Sequence, residues 1–367
     1  MRILISVIIL SAIALLGIST FSGVLYQRGI IYIGDIPKTS PEASSAKLTF
    51  VKKTLDTILS GTQNVENQQI ILKGEDTDQI NFLFLGIGGE EHVSGKYLTD
   101  TIIVGVFIPS NKKTAFISIP RDLLVLSPNG GGYTRINALY AMPPKGEPED
   151  KGSPGSRGVE HTKKTIAAIT GIQADYYAII DLEGVEEIVS ILGGINIAQN
   201  YNLKDSRFPD KNYGYEIYEI KEGWRYMNGE DAVKYIRTRH TQGGDFDRMK
   251  RQQEVAMAIK NKIDGLKSLS GLPKVLSLYE AIQDHFTTNL KFNEIMRLMD
   301  LAEGANDSSI ILERITAEQG DVLKYDSIIW NGIRASVLSP KAGREEYSEI
   351  KDKIETIVTN LKSADTE

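Results

Sequence analysis

No feature of this 367-residue sequence limits its fold more than the stretch from Ile3 to Tyr26, 24 residues without a charge, bracketed by Arg2 and Arg28. Within lipid, a segment this apolar satisfies its backbone only as a helix or in a closed barrel, and its length suits a helix. As a helix it is roughly 36 Å long, against a hydrocarbon core of about 30 Å. We read it as a single uncleaved transmembrane anchor. A secretory signal peptide is the competing reading, because Ser19, Ser22 and Gly23 offer small residues near its end, but a signal's apolar run is normally shorter. Charge leaves the orientation open, since Arg2 on one flank is answered by Arg28 and Lys38 on the other. The Pro-, Ser- and Ala-containing segment 35–47 reads as an exposed linker. Leu48, Val51, Leu55, Ile58 and Leu59 then form a helical apolar stripe that packs on the main domain. The expected division is a cytoplasmic start and anchor (1–28), a linker with a membrane-proximal helix (29–78), and one large domain (79–367).

In the large domain, Asn81 to Gly86 (NFLFLG), Thr101 to Ile108 (TIIVGVFI) and Thr114 to Ile119 (TAFISI) read as buried strands, the last two joined by a hairpin at Asn111 to Lys113. The polar, Gly/Pro-rich stretch 143–158 reads as a surface loop. A helix over Thr162 to Thr170, a strand over Tyr176 to Ile180 and a helix over Leu182 to Leu192, stopped by Gly193-Gly194, follow. Beyond Leu266 come further helices, a short strand at Ser308 to Leu312 and a final amphipathic helix at Tyr347 to Leu361. Strands and helices alternate without a repeat period. The fold class is α/β (α+β), a central mixed β-sheet flanked by helices. There is no cysteine, which excludes disulfides, thiolate metal sites and a cysteine nucleophile. A net charge of -6 speaks against a nucleic-acid partner, which calls for a basic footprint over a whole domain. Any anion site must therefore be local.

The segment Asn228 to Ile263 supplies one candidate, with Arg237, Arg239, Arg248 and Arg251 within 15 residues. Arg237 and Arg239 share one face if the chain is extended there and diverge if it is helical. Beyond Gly243-Gly244, Asp245 or Asp247 caps a helix on which Arg248 and Gln252 sit at i and i+4, near a terminus that itself attracts anions. Guanidinium forks match two phosphate oxygens at once and stay charged at any working pH, so a diphosphate is a suitable partner. On spacing alone, local pairing with Asp231, Asp245 and Asp247 is the plainer reading. His161, His240 and His285 show no spacing for paired acid–base work or metal binding, and read as structural or exposed.

Taken in order, NFLFLG, LTDTIIV (98–104), SIPRDLLV (118–125), RINALYA (135–141), GIQADYYAIIDLEGVEEIVSILGGI (171–195), NGEDAVKYIRTRH and DRMKRQQE resemble the LytR-CpsA-Psr family of envelope proteins, from about Asn81 to about Ile263 and more weakly to about residue 350. The resemblance implies one transmembrane helix in the cell membrane and an extracytoplasmic domain. It also implies an enzyme that moves glycopolymers such as teichoic acid or capsule from a polyprenyl pyrophosphate carrier onto peptidoglycan or a similar acceptor, with Mg²⁺ as cofactor. By position, Asp100 matches the family's magnesium-binding aspartate and Arg121 a pyrophosphate-binding arginine. Arg237, Arg239, Arg248 and Gln252 match the remaining headgroup contacts. Apolar strands and helices would line a tunnel for the prenyl chain. The sequence departs from the family pattern twice: Gly88 stands where many members have a second aspartate, and Leu98 replaces an arginine. A second metal ligand then has to come from Glu90, Glu91 or His92, and hard Mg²⁺ accepts a carboxylate far more readily than an imidazole.

The reaction so implied is attack of a sugar hydroxyl on the glycan-proximal phosphorus, with Asp100, Arg121, Arg237 and Arg239 as the catalytic set and Asp100 or Asp122 as candidate base. Asp122 serves equally well to orient Arg121. Two alternatives use the same residues. One is a phosphohydrolase, with water in place of the sugar. The other is a non-catalytic, membrane-anchored binder of lipid-linked intermediates.

Overall fold

The computed structural model describes residues 70–89, 95–142, 155–209, 214–241, 243–264, 278, 284–302, 305, 309–330 and 332–363. The expected anchor, the linker with its apolar stripe, and Glu90, Glu91 and His92 lie outside them. Among the described residues no helix is long and apolar enough to cross a membrane.

In chain order the elements are β1 (Ile80–Ile87), β2 (Thr99–Ile108), β3 (Lys113–Ser118), β4 (Leu124–Leu126), β5 (Tyr133–Arg135), α1 (Gly155–Thr170), β6 (Tyr176–Asp181) and α2 (Leu182–Ile191). They continue with β7 (Ile195–Gln199), β8 (Leu203–Pro209), β9 (Tyr215–Ile220), β10 (Gly223–Met227), α3 (Gly229–Arg237) and α4 (Gly244–Asp264). The last are β11 (Phe286–Thr288), α5 (Phe292–Leu301), β12 (Ile310–Arg314), β13 (Leu323–Trp330), β14 (Ile333–Pro340) and α6 (Ser348–Ser363). Six strands form the central sheet in the order β11-β6-β1-β2-β3-β12. It is mixed: β1 runs antiparallel to β2 and parallel to β6, and β3 runs antiparallel to β2 and parallel to β12. The β2–β3 turn falls where the sequence predicts it, with Asn111 Oδ1 accepting from Lys113 N–H at 3.1 Å.

Of the four inner strands, β1, β2 and β3 read as unbroken apolar runs because both of their faces are covered. Leu83, Leu85, Val104, Val106, Ala115 and Ile117 pack against α1 and α6 through Ile166, Ile169, Ile350 and Ile354. Phe82, Phe107, Tyr176 and Ala178 point the other way, onto Ile295 and Leu298 of α5. A third cluster gathers α2, α3 and α4 around Ile188, Tyr235, Ile236, Val255 and Ile259. Each such side chain stabilises the fold by about 1.5–3 kcal/mol on burial.

Several expectations change at this point. α1 begins at Gly155, inside the stretch read as a loop. The sequence reading also missed the two-stranded pairs β7–β10, β8–β9, β4–β5 and β13–β14. Their exposed positions carry apolar residues, among them Tyr215, Ile217, Trp224 and Ile333, so the polar–apolar alternation of a half-buried strand is blurred.

Candidate functional site

The C-terminal ends of β1 and β6, the start of β2 and the ends of α3 and α4 meet in one place. Asp100, the second residue of β2, accepts from Arg121 Nη1 through Oδ1 at 2.6 Å and from Arg239 Nη2 through Oδ2 at 3.2 Å. Its backbone carbonyl accepts from Arg248 Nη2 at 3.1 Å and from Gln252 Nε2 at 3.5 Å. Asp245, in the first turn of α4, lies 2.9 Å from Arg248 Nη2 and 3.2 Å from Arg121 Nε. Asp122 lies between Arg121, at 3.8 Å, and Arg135, at 3.3 Å. The arginines separated by more than a hundred residues of sequence thus converge. Of the three local pairings, Asp245 makes the expected one with Arg248, while Asp247 accepts instead from Thr241 Oγ1 and the Gly243 N–H.

Arg237 closes α3, and Thr238, at φ −56° and ψ 133°, ends the helix. Arg237 and Arg239 therefore straddle a helix end and are not two members of an extended strand. Arg237 lies over the Phe208 ring at 5.4 Å. Among the described residues no carboxylate lies within 4.0 Å of it.

Crowding of like charge shapes the electrostatics. Burial alone would raise the Asp100 carboxyl, but Arg121, Arg248 and Arg239 outweigh it and hold the group below its ordinary value. Arg248, only 2% exposed, is pushed down to about 10 by burial, with Arg121 and Arg239 acting in the same direction and Asp245 and Asp100 against it. Burial and then the neighbouring Arg239 lower Arg237; burial and then Arg121 lower Arg239. A further anion at this place would relieve repulsion that three carboxylates leave incomplete.

Beside the cluster lies a cavity of about 170 Å³. Asp100, Arg237, Arg239, Arg248 and Gln252 line the end marked by the half-exposed Arg239. Phe84, Ile103, Val185, Ile188, Val255 and Ile259 line the rest. The sheet and the α2–α4 layer thus leave an apolar space capped by guanidinium groups.

Three supports went unrecognised in the sequence. Arg251, 1% exposed, donates to the carbonyl oxygens of Tyr235, at 3.1 Å, and Thr238. It satisfies acceptors that the end of α3 would otherwise leave orphaned, and holds the segment carrying Arg237 and Arg239. Gln253 joins α4 to the sheet through Ser118 Oγ at 3.0 Å and the Glu313 carbonyl at 3.1 Å. Buried Asp205 accepts from the N–H groups of Arg239 and His240 and pairs with His240 Nδ1 at 2.9 Å. Arginine in a helix normally reads as solvated, and no sequence signal marked Arg251 as different.

The described residues do not fit a Mg²⁺ site built on Asp100. Each of its carboxylate oxygens already carries an arginine, and Gly88 brings no second carboxylate. A different set does assemble nearby: donor atoms of Asp181, Glu183 and His285 lie within 4.8 Å of one another. This corrects the expectation that His285 belongs to no metal-type grouping. Its partners stand about a hundred residues earlier and meet it only because β11 pairs with β6.

Fold and cavity together define an α/β domain that encloses an apolar space beneath a cationic rim. The chain belongs to the LytR_cpsA_psr family, whose model matches residues 45–342. It is 28% identical over 256 residues to TagV of Bacillus subtilis, named a polyisoprenyl-teichoic acid–peptidoglycan teichoic acid transferase, across 69% of this chain and 60% of TagV. Among solved structures, gbs0355 of Streptococcus agalactiae superposes with a TM-score of 0.58 at 24% identity, covering 78% of this chain and 89% of that one. A structure of TagT bound to LI-WTA gives a TM-score of 0.54 at 20% identity, covering 81% and 96%. These structural likenesses establish the fold.

Proposed function

We propose that this domain transfers a glycopolymer from a polyprenyl pyrophosphate carrier to peptidoglycan or a similar acceptor, on the extracytoplasmic side of the cell membrane. The observation that carries the reading is the union of an apolar cavity with three arginines at its end, Arg237, Arg239 and Arg248, and a fourth, Arg121, joined to them through Asp100. An amphiphile with an acidic head fits such a space: the prenyl chain lies among Phe84, Ile103, Val185 and Val255, and the diphosphate lies at Arg121, Arg237, Arg239, Arg248 and Gln252. The family and the activity for which TagV is named support the same choice of substrate.

An acceptor hydroxyl attacks the glycan-proximal phosphorus. A new P–O bond forms, the bond to the bridging oxygen breaks, and polyprenyl phosphate leaves with the electron pair. The hydroxyl proton passes to a carboxylate, Asp100 being the nearest to the arginines. Fixed guanidinium groups are well suited to charge that grows on the leaving phosphate, because they need no reorganisation at the moment of reaction. Positioning and charge supply the catalysis, so no protein nucleophile is required. No step here runs through a metal.

A second reading, an anchored binder without turnover, draws on Gly88 and on the double engagement of Asp100. The full chain in detergent, supplied with a lipid-linked donor and an acceptor glycan, decides between them. Transfer that disappears in Arg239→Ala supports the enzyme. Tight donor binding without product supports the binder.

A further inference from the structure

The strand β1 has a carboxylate on each side of its end. Its last residue, Ile87, is paired with Asp181 of β6 on one side and, across an irregularity, with Thr99 next to Asp100 on the other. The two aspartates therefore sit roughly 10 Å apart, two strand spacings, and both line the cavity. They have opposite surroundings. Asp100 is held by arginines; Asp181 is grouped with Glu183 and His285.

Two glycines create this second cluster. Gly89, at φ +89°, lies so close to the Glu183 carboxylate that a Cβ there would come within 1.9 Å of Oε2. At Gly184 an added Cβ would meet the His285 Cβ at 2.7 Å. A side chain at Gly184 would push His285 away from α2, and one at Gly89 would make the Glu183 carboxylate turn aside. Glu187 acts electrostatically on His285, and one of its buried carboxylate oxygens has no hydrogen-bond partner among the described residues. The Glu183 carboxylate also acts electrostatically on Arg237, and a buried acceptor without a donor, as at Glu187, is costly.

We infer that Asp181, Glu183 and His285, backed by Glu187, hold a divalent first-row cation of the Mn²⁺ or Zn²⁺ kind on the β6–α2 wall of the cavity. His285 Nδ1 lies 2.9 Å from Asp181 Oδ2. A cation with bonds of about 2.1 Å to an imidazole nitrogen and a carboxylate oxygen spans roughly 3 Å at a right-angled bite, so it replaces the shared proton with little movement. The other Asp181 oxygen stays on the Gly184 N–H at 2.8 Å, where it caps α2. Mixed nitrogen and oxygen donors favour these ions over Mg²⁺, which prefers oxygen alone and keeps its waters. Three protein ligands leave coordination positions for water, and of the three Asp181 lines the cavity. The inference concerns the metal alone and stands whether or not the domain is a transferase.

The test is titration of the metal-stripped full chain in detergent with Mn²⁺, following loss of the free-ion EPR signal. The expected result is one tightly bound Mn²⁺ per chain, displaced by equimolar Zn²⁺ and retained against a tenfold excess of Mg²⁺. Glu183→Gln and His285→Ala should each weaken binding at least tenfold, while Asp100→Asn keeps it. Glu183→Gln preserves shape, and its unchanged circular dichroism separates lost ligation from lost folding should His285→Ala unfold. Absence of stoichiometric Mn²⁺, displacement by Mg²⁺ on equal terms, or binding lost in Asp100→Asn and kept in Glu183→Gln would overturn the assignment.

Discussion

The arginine wall and the acidic wall of the cavity solve the problem of buried charge in opposite ways. On the first, Arg121, Arg239 and Arg248 are matched against Asp100, Asp122 and Asp245 at ion-pair distances. The pairing is extensive, and Arg237 is left over. On the second, carboxylates gather about His285, and α2 begins there on the Asp181 cap. A matched network holds its shape before any ligand arrives; a cluster dominated by one sign of charge depends on what it binds. The first wall should therefore contribute stability in its own right, and the second should contribute selectivity for an ion.

The sharpest way to break that contrast is to remove the most buried member of the matched network. Arg248→Ala leaves Asp245 and the Asp100 carbonyl without their donor, and stability in urea should fall by about 3–5 kcal/mol, as for other broken buried pairs. A loss below about 1 kcal/mol would mean that the wall is not preorganised. Arg237, which has no carboxylate within ion-pair distance among the described residues, should behave differently. Its replacement by Ala should lower transfer from a lipid-linked donor by roughly 10²-fold, in line with loss of one fixed donor to a developing oxyanion, and leave the urea midpoint nearly unchanged.

Asp205→Asn tests the scaffold under Arg239. Burial would raise this carboxyl, yet the N–H groups of Arg207, Arg239 and His240 hold it below its ordinary value. A depressed carboxylate contributes stability that is present above its unfolded pKa of about 3.9 and lost as pH falls through the folded value. The variant should lose about 2 kcal/mol at neutral pH and show a flatter decline below pH 4 than the parent chain, measured by chemical denaturation across pH. The smallest effect is expected inside the cavity. Val255→Trp fills apolar space away from both charged walls, so donor affinity should drop about tenfold while inorganic pyrophosphate binds as before. Equal losses for both ligands would place the head and the chain in the same space.

What the sequence disclosed follows from how local each signal is. β1, β2 and β3 are unbroken apolar runs, and their bounds shift by only one or two residues. The outer strand pairs have mixed faces and went unread. Arg237, Arg239, Arg248 and Gln252 lie within one segment, so their grouping was visible there, whereas Asp100 and Arg121 joined them only through resemblance to the family. The Asp181–Glu183–His285 cluster is a product of strand pairing between distant segments, and no periodicity encodes it. Arg251 was visible as a residue and opaque as a role, since nothing in a helical arginine's neighbours along the chain says that it will be buried against the end of another helix.

Residues 248–253 of α4 have a consequence beyond the site. Arg248, Arg251, Gln252 and Gln253 point in turn at the cavity, at the end of α3, at the cavity again, and at the sheet. Apart from the exposed Lys250, the polar side chains of this stretch are each committed to a neighbour, so a change suited to one neighbour disturbs another. In a library of single substitutions across this chain, Arg248, Arg251, Gln252 and Gln253 should tolerate the fewest replacements, and conservative ones such as Arg251→Lys should fare little better than drastic ones.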